Sequence, residues 1–341
     1  MKKKNIQFGL VIPQELGYSV DYIVKAACEA ERLGFDSVWI YDHFFMDPKK
    51  QYPECFVTLT AIACNTKKIT FGPLVLNNLF RHPSLVAKIG ATLDQISKGR
   101  FRLGIGAGWY YDECKAFGIN FPSFKERIEM LAESVEVIMK LWNSRGKRVS
   151  YSGKYYKINE AVCLPPTYQV PNPPCFVGGK SIPLLQIVAK NSIGINIDQD
   201  WGIGLGEAQK ILSSLQYLCH QQGTNFDKID KSLCIRIFVG CEKEVEEQKK
   251  KLAKSQVIDY YTKTILESIR FIRSFSLPEE LKVTSSTSQV VGSPEDCRKQ
   301  IEDYINLGFT EFYFKVYDYT DFELLELISK EIVKPMKRDK T

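Results

Sequence analysis

What most constrains this chain is a pattern that recurs along its whole length. A short run of β-branched and aromatic residues is followed by a stretch whose apolar residues return every three or four positions. Residues Ile6 to Ile12 form the first run, stopped by Pro13. A helix is expected from Ser19, a candidate N-cap, to Leu33, with Ile23, Ala27, Ala30 and Leu33 near one face and Gly34 as the stop. Further strands are expected at Ser37–Tyr41, Ile69–Leu76, Phe101–Ile105, Cys175–Val177, Gly194–Ile197, Cys234–Val239 and Phe312–Val316. Helices are expected at Pro53–Asn65 and Pro83–Ser97, from Pro183, over Glu207–Gln221, from Ser293 to Gly308, and at the end of the chain. The clearest helix carries Phe124, Ile128, Leu131, Val135, Ile138 and Trp142 as one stripe facing a sheet.

Alternating βα units favour a parallel sheet. Eight of them over 341 residues fit a sheet closed on itself, a (β/α)8 TIM barrel in the α/β class. An open doubly wound sheet is the alternative. No interdomain linker is visible, so one domain over residues 1–341 is expected. It carries a hairpin and irregular insertion at about 145–173 and a charged, helical insertion at about 242–290.

Composition narrows the function classes. Charges break every apolar stretch well short of the roughly 20 residues a membrane span requires. No uninterrupted signal-peptide core follows Met1–Lys4, so a cytoplasmic protein with no membrane partner is expected. The net charge of +6 is scattered, and Lys249, Lys250 and Lys251 lie beside Glu246 and Glu247. That is a solvated helix face and not a nucleic-acid footprint. The ten cysteines contain no C-x-x-C pair and only His43, His82 and His220 accompany them. No metal site is expected, and most of the cysteines read as small buried apolar residues.

In a barrel of this kind, chemistry collects where strands end and loops begin. The second strand ends in Tyr41-Asp42-His43-Phe44. A lone histidine is commonly structural, but at a strand end beside a carboxylate it becomes the leading proton-handling candidate. The fourth strand runs into Gly104-Ile105-Gly106-Ala107-Gly108-Trp109. Its glycines either bare the backbone for a flat ligand or a phosphate, or relieve crowding inside the barrel. Asp112 and Glu113 follow, on a loop or a first helical turn. After the fifth strand, Gly178-Gly179-Lys180-Ser181 forms either an anion cradle ahead of a helix N-terminus or a plain turn.

Leu33 to Trp39 followed by Asp42-His43-Phe44, then Arg81-His82-Pro83, Ala91 to Arg100, Gly104 to Trp109, Tyr151 to Tyr156 and Pro171 to Gly179, run in order along nearly the whole chain. Together they resemble the bacterial luciferase-like oxidoreductase superfamily and are most similar to its coenzyme F420-dependent branch. The resemblance fades only in the 242–290 insertion.

This resemblance implies a (β/α)8 barrel that binds F420, a 5-deazaflavin that exchanges hydride, or alternatively FMN, which supports oxygenation. It places the ring against the end of the third strand, with a non-prolyl cis peptide at Leu74–Val75 and Asn77 within reach. Gly106, Ala107, Gly108 and Trp109 would face the cofactor tail, and Gly178, Gly179, Lys180 and Ser181 would hold its phosphate. His43 corresponds to a catalytic histidine of the branch's sugar-phosphate dehydrogenase, with Asp42 assisting and Glu113 second.

Two departures stand out. Trp109 occupies the place of an acidic residue in that dehydrogenase, and Ile193 to Asn196 replaces an Ala-Asp-Gly-Trp-like run. The expected protein is therefore an oxidoreductase moving a hydride between F420 and a small organic substrate, and the resemblance, whose members are often dimers, implies a homodimer. Alternatives are an FMN-dependent monooxygenase fed by a separate flavin or F420 reductase, and a non-catalytic flavin-binding barrel.

Overall fold

The computed structural model describes residues 5–14, 17–254, 289–316 and 322–338. Its strands are β1 (Gln7–Ile12), β2 (Ser37–Ile40), β3 (Thr70–Pro73), β4 (Leu76–Asn77), β5 (Leu103–Gly106), β6 (Val149–Ser152), β7 (Lys157–Ala161), β8 (Cys175–Gly178), β9 (Gly194–Asp198), β10 (Lys231–Val239), β11 (Val290–Gly292) and β12 (Glu311–Lys315). The α-helices are α1 (Val20–Leu33), α2 (Cys55–Asn65), α3 (Pro83–Ser97), α4 (Tyr111–Ala116), α5 (Phe124–Asn143), α6 (Ile182–Asn191), α7 (Leu205–Gln222), α8 (Glu242–Lys254), α9 (Pro294–Leu307), α10 (Phe322–Ile328) and α11 (Lys334–Arg338).

The main sheet runs β3-β2-β1-β12-β10-β9-β8-β5-β4, and every pairing along it is parallel. β3 and β4 are successive pieces of one stave, and Phe71 bridges Phe101 in parallel, so the path closes into a barrel. The Leu74–Val75 peptide between those two pieces is cis. β6 and β7 form the expected antiparallel hairpin. β11, which the sequence did not suggest, pairs with the end of β10. Of the expected 242–290 insertion, α8 is its beginning, and residues 255–288 lie outside the described residues.

Local chemistry explains the element ends. Ser19 accepts from the Tyr22 amide at the start of α1, and Gly34 closes it at φ 91°, donating to the carbonyls of Ala30 and Glu31. Ser123 and Glu126 form a reciprocal capping box on α5. That helix buries Ile128, Leu131, Val135, Ile138 and Trp142, as its stripe demands. Phe124 departs from the stripe: it is 48% exposed, because the first residue of α5 reaches past the sheet to the rim of a cavity.

The barrel axis is filled. Val11, Trp39, Tyr41, Leu74, Phe176, Cys234 and Tyr313 pack there as one cluster. Trp39 packs tilted against Tyr313 at 4.5 Å and meets Phe176 edge-on at 5.3 Å. An added Cβ at Gly104 would lie 2.5 Å from the Phe176 ring, so this glycine relieves crowding in the core. Beneath, Arg102 pairs with Glu311 at 2.8 Å. Tyr41 and Leu74, at the top of the cluster, also floor the cavity above it. No described helix is long and apolar enough to cross a membrane.

Candidate active site

The C-terminal ends of the staves surround a cavity of about 340 Å³, within the range of small-molecule and cofactor sites. His43, Val75, Asn77, Gly106 to Trp109 and Gly178 to Ser181 all line it, so the strand-end motifs of the sequence share one mouth.

His43 follows β2, and its Nδ1 lies 2.9 Å from Oε1 of Glu113 on the first turn of α4. Glu113 is fully buried, and its second oxygen accepts the Phe44 amide at 3.0 Å. A buried carboxylate satisfied in this way orients the histidine: with Glu113 ionised, Nδ1–H donates to it. Asp42, expected to assist His43, has a different task. Its carboxylate takes Arg81 through two bonds of 2.8 and 3.0 Å and accepts the Asn77 amide at 2.9 Å. Burial works against the Arg81 charge, but Asp42 and Glu54 outweigh it and hold the guanidinium above its ordinary pKa. Asp42 thus ties the end of β2 to β4 and α3, and the carboxylate paired with His43 is Glu113.

The stave between β3 and β4 supplies the cavity's wall. An added Cβ at Gly106 would sit 2.6 Å from Val75 Cγ2, and one at Gly178 would sit 2.9 Å from Val75 Cγ1. Val75 therefore fills the space that the glycines of β5 and β8 leave, and it presents its isopropyl group to the cavity. Gly108 needs to be glycine for two reasons: its φ is 80°, and a Cβ would meet Asn77 Oδ1 at 2.5 Å. That oxygen accepts the Leu79 amide at 3.0 Å, so Asn77 shapes the turn as well as lining the cavity. Trp109 was expected near the cofactor tail. Its ring stands 5.7 Å from His43 and 5.8 Å from Trp201, along the same cavity.

At the other end, Ser181 precedes α6, whose N-terminal amides gain no side-chain cap from it. Its Oγ is buried without a hydrogen-bond partner while the residue lines the cavity. A helix N-terminus with an uncommitted hydroxyl suits an anion. Lys180, half-exposed, reaches the Trp201 carbonyl at 3.3 Å.

The profile of the luciferase-like monooxygenase family matches residues 6–311. The chain belongs to that family. It is an oxidoreductase, as its relatives are. The F420-dependent glucose-6-phosphate dehydrogenase of Microbacterium testaceum (strain StLB037) is 24% identical over 343 residues, covering 96% of this chain and 99% of the relative. Among solved structures, the coenzyme F420-dependent tetrahydromethanopterin reductase of Methanopyrus kandleri superposes with a TM-score of 0.76 at 21% identity, covering 97% of this chain and 99% of that one. The oxygenating constituent of 3,6-diketocamphane monooxygenase from Pseudomonas putida, in complex with FMN, gives 0.74 at 22% identity, covering 96% and 98%. These two likenesses establish the shared fold.

This luciferase-like barrel also holds groups that the sequence reading did not single out. Asp198 and Asp200, at the end of β9, line the cavity. Lys315 Nζ meets Asp198 at 2.7 Å and Asp200 at 2.8 Å, and Arg236 meets Asp200 at 2.8 Å. Burial alone would lower the Lys315 ammonium, but the two carboxylates raise it well above its ordinary value. Burial raises Asp198, whereas at Asp200 Arg236 and Lys315 overcome burial and pull the carboxyl below its ordinary range. The only sequence signal was an Asp-x-Asp after a predicted strand, which an exposed turn would carry equally well. Arg127 on α5 is the second omission. It is buried and it too lines the cavity.

Proposed function

We propose that this luciferase-like enzyme transfers a hydride between coenzyme F420 and a small organic substrate, with His43 as the proton donor or acceptor. The observation that carries this reading is the buried His43–Glu113 contact beside the Val75 wall of the cavity. The full-length likeness to the Microbacterium testaceum dehydrogenase supports the choice of cofactor. The uncommitted Ser181 hydroxyl at the head of α6 fits the phosphate such a cofactor carries.

A bound deazaflavin would supply the hydride chemistry. The protein's own part is positional and electrostatic. Val75 and the backbone of Gly106 and Gly178 fix one face of the site, and Gly178 to Ser181 hold the anionic tail. Trp109, Trp201 and Tyr41 wall the reacting end and limit water there. His43 exchanges a proton with the substrate at Nε2, and Glu113 stabilises the imidazolium while that proton is held.

Replacing His43 by Ala is expected to lower turnover by about 10²–10⁴-fold, while F420 affinity, read by titration of its absorbance, stays within about twofold. Unchanged turnover would remove the assignment. Trp109, standing where the sugar-phosphate branch carries an acid, favours a second reading, an FMN-dependent monooxygenase served by a separate reductase. Anaerobic reduction with F420H2 against NAD(P)H plus FMN separates the two.

A further inference from the structure

Asp198 and Asp200 turn acceptors toward the cavity and keep the cations paired with them behind. Lys315 Nζ donates to Asp198 Oδ1 at 2.9 Å, to Asp198 Oδ2 at 2.7 Å and to Asp200 Oδ2 at 2.8 Å. An ammonium has three N–H donors, so this one has none left for an incoming anion. Arg236 Nη2 donates to Asp200 Oδ2 at 2.8 Å. A carboxylate offers about four lone-pair sites. Asp198 Oδ1 is filled by Lys315 and by the Asp200 amide at 3.0 Å, but Oδ2 accepts from Lys315 alone. Asp200 Oδ1 accepts from none of the described residues. The Asp198 side chain is 27% exposed and that of Lys315 5%. Among the described residues, the cavity wall includes both aspartates and neither of their cations.

This acceptor face stands on the His43 side of the cavity. Lys315 Nζ lies 6.0 Å from the Tyr41 ring centroid, and that ring is 6.5 Å from the His43 ring. Trp201, next to Asp200, meets Trp109 edge-on at 5.8 Å, and Trp109 meets His43 edge-on at 5.7 Å. Ile203 lines the same cavity, so the carboxylates are framed by apolar and aromatic groups. Two longer basic side chains also line it, and both are engaged elsewhere. Lys180 belongs to the loop read as holding the cofactor's tail, and Arg127 donates to the Gly108 and Pro122 carbonyls. Arg236 and Lys315 outweigh burial and hold the Asp200 carboxyl below its ordinary range, so it is ionised near neutrality.

We propose that Asp198 and Asp200 select the substrate, an unphosphorylated organic molecule with an apolar body that presents an O–H or N–H donor to them. This rests on the reading of the cavity as the site of an F420- or flavin-dependent oxidoreductase. A phosphate or carboxylate brought against these aspartates would lose its water beside like charge, which is costly. A hydroxyl or ammonium head instead fills the open acceptor positions. The Trp109 and Trp201 rings take the apolar body, and an ammonium gains cation–π attraction from them as well. The two aspartates thus hold and orient the substrate, and proton exchange stays with His43.

The test uses three probes that share one ring and differ in the head: benzyl alcohol, benzylamine (an ammonium near neutrality) and benzyl phosphate. Each is titrated by calorimetry into the wild type saturated with whichever of F420 and FMN it binds. The alcohol or the amine is expected to bind at least about 10-fold more tightly than the phosphate, and which of those two leads separates a hydroxyl-bearing from an ammonium-bearing substrate. Asp198→Asn removes the charge and releases a Lys315 donor, so the preference should shrink to about twofold or less, with the cofactor's affinity unchanged. Benzyl phosphate binding as tightly as the other two, or a preference that Asp198→Asn leaves intact, overturns the proposal while the functional reading stands. No binding by any of the three probes at millimolar concentration overturns it too. Failure of the wild type to bind both F420 and FMN overturns the functional reading and this proposal with it. Should Asp198→Asn melt too low for titration, Asp198→Ser carries the same comparison, with the preference again expected to collapse.

Discussion

His43 Nδ1 and Glu113 Oε1 lie 2.9 Å apart, although 70 positions separate the two residues in the chain. β2 delivers one, and the short helix α4 after β5 delivers the other. Replacing Glu113 by Gln keeps the shape but removes the charge that stabilises a protonated imidazole. Turnover is expected to fall about 10²-fold, with the cofactor's Kd essentially unchanged. Stopped-flow reduction alongside an equilibrium titration reads both quantities, and an unaltered rate would show that the contact is architectural.

Arg81 reaches both Asp42 and Glu54. Arg81→Met would strand the almost fully buried Asp42 carboxylate without its cation. A loss of about 3–5 kcal/mol in unfolding free energy is expected, measured by denaturant titration. The Asn77 amide bond to Asp42 alone should not rescue it.

The pair of bonds from Arg236 and Lys315 gives Asp200 a carboxyl that is more acidic in the fold than in the unfolded chain. A group depressed in this way stabilises fully above the ordinary carboxylate pKa near 4 and loses its contribution as pH falls toward the folded value. Asp200→Asn should therefore cost about 3 kcal/mol near neutrality. The gap in melting temperature between wild type and variant should be widest above about pH 5 and close as pH is lowered through 4 and below. A gap that grows on acidification would contradict this assignment.

Gly106→Ala places a Cβ 2.6 Å from Val75 Cγ2. Valine is stiff about its first side-chain torsion, so the wall must shift, at about 1–3 kcal/mol. The double variant Gly106→Ala with Val75→Ala should recover most of that loss. A double-mutant cycle on thermal melts tests the coupling, and strictly additive losses would refute it.

The βα alternation was readable because hydrophobic spacing is a local property, and seven of the expected strands lie within a few residues of single observed ones, the eighth being split into β3 and β4. Strand ends and their glycines were readable for the same reason. Partnerships were not. Asp42 adjoins His43 in sequence, yet alternate strand-end residues face different neighbours, and Asp42 turns to Arg81. Gly104 and Gly106 look identical as a motif, but one makes room for Phe176 and the other for Val75. Arg127 was hidden because helical spacing tells which face is apolar but not where that face overhangs a cavity. The ion-paired quartet of Asp198, Asp200, Arg236 and Lys315 draws on three separate staves and their loops, which no local pattern joins.

Val75 sits in space jointly surrendered by β5 and β8. Volume there is a common holding of three positions and not the property of any one. Substituting them singly would make each look immutable, whereas exchanging bulk between them would deepen or shallow the chamber without disturbing the staves. Diversification of this barrel toward larger or smaller reactants has an obvious lever in that trade.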